Sequence, residues 1–126
     1  MLNTYGYAGP DWEKAKTQAT EILINVARRK GRIAYSELAV QITAIQIEAH
    51  DPRMFHLLGE IGTAEDKAGR GMLTAIVVHK SGDMQPGPGF FELAKSLGKD
   101  TSDILVCWIN EFNKVHDYWA NKSKST

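Results

Sequence analysis

The chain has 126 residues, of which 43% are hydrophobic and 24% charged, a composition typical of one globular domain and not of an extended disordered segment. Its 15 basic and 15 acidic side chains balance, so any binding to nucleic acid must rest on a local patch rather than on net charge. The one cysteine, Cys107, excludes an internal disulfide and a cysteine-based zinc cluster.

The hydropathy of the chain predicts a cytoplasmic protein. Residues 1–7 lack the basic start and apolar block of a signal peptide. No run of residues approaches the ~18 apolar residues that a membrane span needs. We therefore expect no membrane partner.

The first predicted helix runs from Pro10 or Asp11 to Lys30. Its apolar residues recur at steps of three and four, which places them on one stripe: Trp12, Ala15, Ala19, Ile22, Leu23 and Val26. Three cations at residues 28–30 complement the negative end of the helix dipole, with a phosphate contact as their alternative role. Gly31 is predicted to take the left-handed conformation that ends the helix.

Two further helices are predicted before residue 70. After a short extended segment at 33–35, Ser36 is predicted to cap a helix that carries Leu38, Ala39, Ile42 and Ile45. The sequence does not define where this helix ends after Thr43, because the residues that follow remain apolar and β-branched. Asp51 and Pro52 then predict the start of a third helix, with Phe55, Leu58 and Ile61 on its buried side.

The polar face of this third helix is the first candidate binding surface. It carries Arg53, His56, Glu60, Thr63 and Lys67. In a winged helix this face would be the recognition surface, with Arg53 and Lys67 on phosphates or bases. A solvated polar face is the alternative, since Glu60 would repel phosphate.

The run from Met72 to His79 predicts a strand buried on both faces. With residues 33–35 it would supply the two strands of a wing, and residues 80–91 would form the wing or an adjoining loop. A constrained turn, 86–89, follows, and Phe90–Leu97 has helical spacing that stops at Gly98.

The loop after the predicted strand is the second candidate site. His79 and Lys80 leave the strand end beside Asp83. Gly87 and Gly89 would allow a close backbone approach, so the group could bind an anion or shuttle a proton. The alternative is that the glycines and prolines only make the turn.

The last predicted helix starts near residues 100–102, ends near Asn121 and precedes a frayed polar tail, 121–126. Its apolar stripe consists of Ile104, Leu105, Trp108, Phe112, Val115 and Trp119. Trp108, Phe112 and Trp119 supply more aromatic surface than a peripheral helix usually needs. They therefore predict a contact with a second copy of the chain.

A family resemblance spans residues 30–98. It follows from the segment Gly31-Arg-Ile-Ala-Tyr-Ser-Glu-Leu-Ala39, a further helix, Val77-Val-His-Lys80, and then a glycine-rich loop and a helix. This order resembles the winged-helix domain of the alkyltransferase and alkyltransferase-like DNA repair family, whose matching segment reads Pro-Cys-His-Arg or Pro-Trp-His-Arg. Val78 holds the position of the reactive cysteine, so the resemblance implies a topology without alkyl transfer.

Together these patterns predict one α+β domain over residues 1–126, mostly helical and winged-helix-like. None of the catalytic, phosphate-binding or metal-binding motifs sought occurs in the sequence, and we predict no cofactor, metal or catalytic residue. The leading hypothesis is a noncatalytic binding module, a DNA-binding or regulatory accessory protein. Its DNA contacts would be Arg53, His56, Lys67 and Lys80. The alternatives are a protein-interaction or homodimerisation protein and a small enzyme that uses the loop 79–91.

Overall fold

The structure is a computed structural model that describes residues 3–4, 6–80 and 85–124. Across these residues the chain is mostly helical, with five α-helices, one 3₁₀ helix and four two-residue strands, which confirms the α+β prediction. The elements are β1 Asn3–Thr4, β2 Tyr7–Ala8, α1 Gly9–Arg28, β3 Ile33–Ala34, α2 Tyr35–Gln41, α3 Pro52–Lys67, the 3₁₀ helix Leu73–Ile76, β4 Val77–Val78, α4 Pro88–Ser96 and α5 Ile104–Lys124.

The strands form two small sheets. β1 pairs antiparallel with β2, and β3 pairs in parallel with β4, with Ile33 opposite Val77. The strand predicted over residues 72–79 is therefore wrong in extent, because only two of its residues pair and the residues before them form the 3₁₀ helix. Residues 72–78 are all buried as predicted. A short apolar run indicates burial, but its periodicity does not distinguish a strand from a buried helical turn.

Backbone hydrogen bonds hold the end of α1. The N–H of Lys30 donates to the carbonyl of Ala27 (2.9 Å), and the N–H of Gly31 donates to that of Val26 (3.0 Å). In this arrangement the left-handed residue is Lys30, with φ 54°, and the prediction for Gly31 is wrong. Gly31 instead allows a close approach, since a Cβ there would lie 3.3 Å from the carbonyl oxygen of Val26.

α2 is shorter than predicted and begins one residue before Ser36. The carboxylate of Glu37 accepts a hydrogen bond from the N–H of Ala34 (2.9 Å), so the helix starts without a hydroxyl cap. It ends at Gln41. Three isoleucines that follow in a nonhelical segment are buried in the core: Ile42, Ile45 and Ile47. The β-branched residues that made this boundary uncertain pack as core residues outside a helix.

α3 begins as predicted. Pro52 is its first residue, and the carboxylate of Asp51 accepts a hydrogen bond from the N–H of Arg53 (2.9 Å). Its most buried apolar residues are Met54, Leu57, Leu58 and Ile61. Phe55 is 46% exposed, so its predicted burial is wrong. The buried face of the helix lies beside Phe55, whose side chain is at the border between the buried and the exposed faces.

α5 packs against α1 and the 3₁₀ helix. Asp103 caps it, accepting hydrogen bonds from the N–H groups of Leu105 (3.1 Å) and Val106 (3.2 Å), and the helix continues to Lys124, into the predicted tail. Ile104 and Leu105 are exposed, which contradicts their predicted place in the stripe. Among the described helices, none is both long and apolar enough to cross a membrane.

Candidate functional site

A cavity of about 220 Å³ lies between α3 and α4. Most of its wall is apolar and comes from side chains of these two helices: Met54, Phe55, Leu58, Phe90 and Leu93. Tyr35, at the start of α2, and Thr74, in the 3₁₀ helix, contribute the two hydroxyl groups of the lining. The segment before α3 completes the lining with Ala49, His50 and Asp51, so the mainly apolar site has two hydroxyl-bearing residues and two titratable ones.

Thr74 is the most unusual residue of the cavity. It is 5% exposed, and within the described part of the chain no hydrogen bond joins its hydroxyl to another group. Among the described residues, the fully buried side-chain polar atom that lacks a hydrogen-bond partner is Nε1 of Trp119 and not this hydroxyl, so the Thr74 oxygen keeps some accessible surface. Thr74 is also the only polar residue between Met72 and Val78. That interruption of an apolar run is the signal by which the sequence could have identified it.

Gly89 lies at the first turn of α4, against the ring of Phe55. A Cβ at this position would overlap that ring, so glycine is the residue that lets the two helices approach here. The group that approaches Gly89 is a side chain of α3, and the approach of an anion to this backbone stays a prediction. Gly59, which also lines the cavity, has no atom within 4 Å of the position of a Cβ.

Tyr35 and His79 lie together beside Gly87. Their ring centroids are 5.3 Å apart, and the N–H of Gly87 donates to the hydroxyl of Tyr35 (2.9 Å). Burial raises the pKa of Tyr35, so its hydroxyl remains neutral. A Cβ on Gly87 would lie 3.3 Å from Nε2 of His79. The structure thus brings the predicted residues His79 and Gly87 together, and it adds Tyr35, which sequence reasoning missed.

The structure describes only some of the other residues predicted for the loop site. His79 and Lys80 are exposed, as expected for a loop site. Asp83 lies outside the described residues, so its proximity to them stays a prediction. Two carboxylates on the neighbouring helices α2 and α3 have other partners: Glu37 accepts from the backbone of Ala34, and Glu60 accepts from Lys16.

Arg53 is held in an ion pair at the start of α3. Its Nε lies 2.9 Å from Oδ1 of Asp51 and its Nη2 lies 2.5 Å from Oδ2. The guanidinium also stacks on Tyr7, 4.4 Å from the ring centroid. The charge predicted to meet phosphate is therefore balanced by a carboxylate of the same chain.

The rest of the α3 polar face does not form a basic patch. Glu60 accepts hydrogen bonds from Nζ of Lys16 (2.9 Å) and Nε1 of Trp12 (3.1 Å). Burial raises the pKa of Glu60, but these two hydrogen bonds and the nearby charges of Lys16 and His56 together leave that pKa lowered. Lys67 is exposed in the last turn, about 21 Å along the helix axis from Arg53. His56 packs against the ring of Phe55, with centroids 5.6 Å apart.

The Asp51–Arg53 pair predicts a specific dependence of stability on acid. The hydrogen bonds from the side chain and backbone of Arg53 lower the pKa of Asp51 from 3.8 to about 2. Because the folded pKa is depressed, the stabilisation is fully present above about pH 4 and is lost as the pH falls through about 2.

Urea unfolding of the wild type and of Asp51→Asn between pH 2 and pH 6 tests this expectation. Asparagine retains the helix cap and removes the charge. The wild type should be the more stable protein above pH 4, and the difference should shrink towards pH 2. A difference that does not change with pH would show that the ionised carboxylate contributes nothing.

The aromatic residues of α5 lie mainly in the core of their own chain. The indole N–H of Trp108 donates to the carbonyl of Ala75 (2.8 Å), and Phe112 packs edge-on against that indole. Trp119 is also buried, with the guanidinium of Arg28 5.9 Å from its ring centroid. A homodimer through Trp108, Phe112 and Trp119 stays a prediction, although the excess of aromatic surface on which it rests is not found.

No group of three or more His, Cys, Asp or Glu residues in the described part of the chain is arranged to hold a metal ion. No family model, curated protein or solved structure matches the chain. Function is therefore inferred from the cavity and the groups that line it.

Proposed function

We propose that this chain is a noncatalytic binding module that takes a small, mainly apolar molecule into the cavity between α3 and α4. The observation that carries the proposal is the mainly apolar cavity of about 220 Å³, whose lining includes Thr74, a residue for which no hydrogen bond of the side chain is described. An apolar cavity of about 150 Å³ can bind benzene, so this volume suits one or two rings.

The groups around the cavity favour binding over catalysis. Its two hydroxyls belong to Tyr35 and Thr74, and no hydrogen bond described in the structure joins either to a histidine or carboxylate that could activate it. Asp51, the carboxylate of the lining, is neutralised by Arg53. A small enzyme that uses loop 79–91 stays an alternative hypothesis.

Titration with indole, followed by NMR, tests this function. We expect indole to shift the resonances of residues that line the cavity. Gly59→Leu should weaken indole binding at least about 10-fold, because the new side chain extends into space that is open around Gly59. Leucine also favours a helix more than glycine does, so this variant is expected to fold.

The matched control is Ala64→Leu, at an exposed position of the same helix. It should bind indole as the wild type does. If the wild type does not bind indole at millimolar concentration, or if Gly59→Leu binds it equally well, the cavity is not a binding site.

DNA binding by a winged-helix-like arrangement is a second candidate. It is supported by the order β3, α2, α3, β4 and by the exposure of Lys67 and Lys80. The parallel pairing of β3 with β4 and the ion pair of Arg53 give it less support than the cavity has. The resemblance to the alkyltransferase-like family supports this second candidate only through the order of the helices and strands.

Fluorescence anisotropy with duplex DNA tests the second candidate. Binding should weaken steeply as salt is raised, and Lys80→Ala should weaken it equally for all sequences if the contact is to phosphate. Arg53→Ala should have a smaller effect than Lys80→Ala, because Asp51 already balances its charge. The absence of binding at low ionic strength would remove this candidate.

A further inference from the structure

We propose that the ligand of the cavity is a neutral aromatic compound of one or two rings with a carbonyl oxygen that accepts hydrogen bonds from Thr74 and Tyr35. This inference rests on the proposed function and specifies its ligand. Three features of the cavity support it: its aromatic lining, the balance of charge at its edge and the hydrogen-bonding capacity of its two hydroxyls.

Three aromatic side chains line the cavity: Tyr35, Phe55 and Phe90. Phe90 is 6% exposed and forms a fixed part of the wall, whereas Phe55 leaves almost half of its surface in contact with solvent. Aromatic rings pack favourably edge-to-face and in offset stacks, with a gain beyond that of the buried area alone. A flat ring in the cavity would therefore contact Phe90 and cover part of the exposed face of Phe55.

The charged groups at the edge favour a neutral ligand. Asp51 and His50 line the cavity, and the ion pair of Asp51 with Arg53 balances the charge of the carboxylate. Burying a charged group against apolar walls is unfavourable unless an opposite charge compensates it. An anionic ligand would in addition lie near the Asp51 carboxylate.

The two hydroxyls favour an acceptor on the ligand. Tyr35 already accepts a hydrogen bond from the N–H of Gly87, so the strong interaction left to it is donation of its own proton. Thr74 has no described partner and can also donate. A carbonyl oxygen has two lone pairs and can accept two hydrogen bonds. A site with buried hydrogen-bonding groups also discriminates against an analogue that lacks the matching group.

The test compares 1-indanone with indane, which share the two-ring frame and differ in the carbonyl group. Calorimetry or NMR gives the Kd of each probe for the wild type and for Thr74→Val. Valine has nearly the shape of threonine without the hydroxyl. The ratio of indane Kd to 1-indanone Kd should fall on the order of 3- to 10-fold in Thr74→Val, as expected for loss of one neutral hydrogen bond. The Kd of indane should stay within about 2-fold.

Thr74→Ser keeps the hydroxyl and should keep the preference of the wild type. Tyr35→Phe provides a second, independent variant, and it should also lower the Kd ratio. Indane-1-carboxylate, an anionic probe on the same frame, should bind at least about 10-fold more weakly than 1-indanone.

The outcomes separate the ligand class from the binding function. If both neutral probes bind and neither Thr74→Val nor Tyr35→Phe changes their ratio, the inference about the carbonyl is wrong while the cavity remains a binding site. Tighter binding of the carboxylate than of the ketone would reject the neutral ligand. If neither neutral probe binds and indole does not bind either, the inference and the proposed function both fail.

Discussion

Truncation of Phe90 to alanine is expected to lower the free energy of unfolding by about 3 kcal/mol, the lower end of the range for a buried phenylalanine. The ring is 6% exposed and belongs to the core cluster that includes Met72, Ala94 and Trp108. It borders the cavity on one side, so it has fewer neighbours to lose than a ring enclosed on all sides.

Phe91→Ala should destabilise the fold by about half as much, because this ring is only partly buried and packs edge-on against Phe90 at 5.2 Å. His79→Ala is the exposed control and should have a smaller effect than either. Urea unfolding of the three variants measures the order, and a larger loss for Phe91→Ala than for Phe90→Ala would contradict the packing described for this loop.

Trp108→Ala is expected to lower the free energy of unfolding by about 4 kcal/mol, within the range for buried tryptophan. The side chain is 9% exposed, and its indole N–H donates to the carbonyl of Ala75 (2.8 Å). Truncation removes the packing between α5 and the 3₁₀ helix and leaves a buried carbonyl without this donor. Trp108→Phe restores most of the volume and should recover part of the loss.

Ile109→Ala is the matched control, one residue further along α5 and 43% exposed. It should change the free energy of unfolding by about 0.5 kcal/mol or less. Light scattering on the same samples distinguishes a core role from a dimer contact. If Trp108→Ala converts a dimer into a monomer with little loss of stability, the homodimer predicted from the sequence would be correct.

The local signals of the sequence predicted the helices with useful accuracy. Asp51 and Pro52 marked the start of α3 because a cap acts on backbone groups two residues away. Gly98 marked the end of the α4 segment, and it does adopt a positive φ of 84°. Spacing by three and four predicted the buried stripe of α1, where Trp12, Ala15, Ala19 and Leu23 are fully covered. These features depend on neighbours within about one helical turn.

The candidate site was predicted only in part. Of the residues predicted for the loop site, Gly89 lines the cavity, while His79 and Gly87 lie beside Tyr35, which also lines it. The roles of Thr74 and Tyr35 were missed, since a hydroxyl in an apolar run carries no indication of whether a partner will reach it. The predicted burial of Phe55 was wrong. Its exposure depends on the packing of α4, which contacts the ring through Gly89, 34 residues later in the chain.

The sequence by itself determined the helical content, the caps and most of the apolar stripes, because these follow from interactions between residues close along the chain. Tertiary structure alone decided that Lys30 is left-handed at the end of α1, where Gly31 packs against Val26, and that Glu60 pairs with Lys16, 44 residues away. It also decided that a cavity remains between α3 and α4. Such a space depends on how whole helices approach one another, and a pattern of spacing within one helix does not contain that distance.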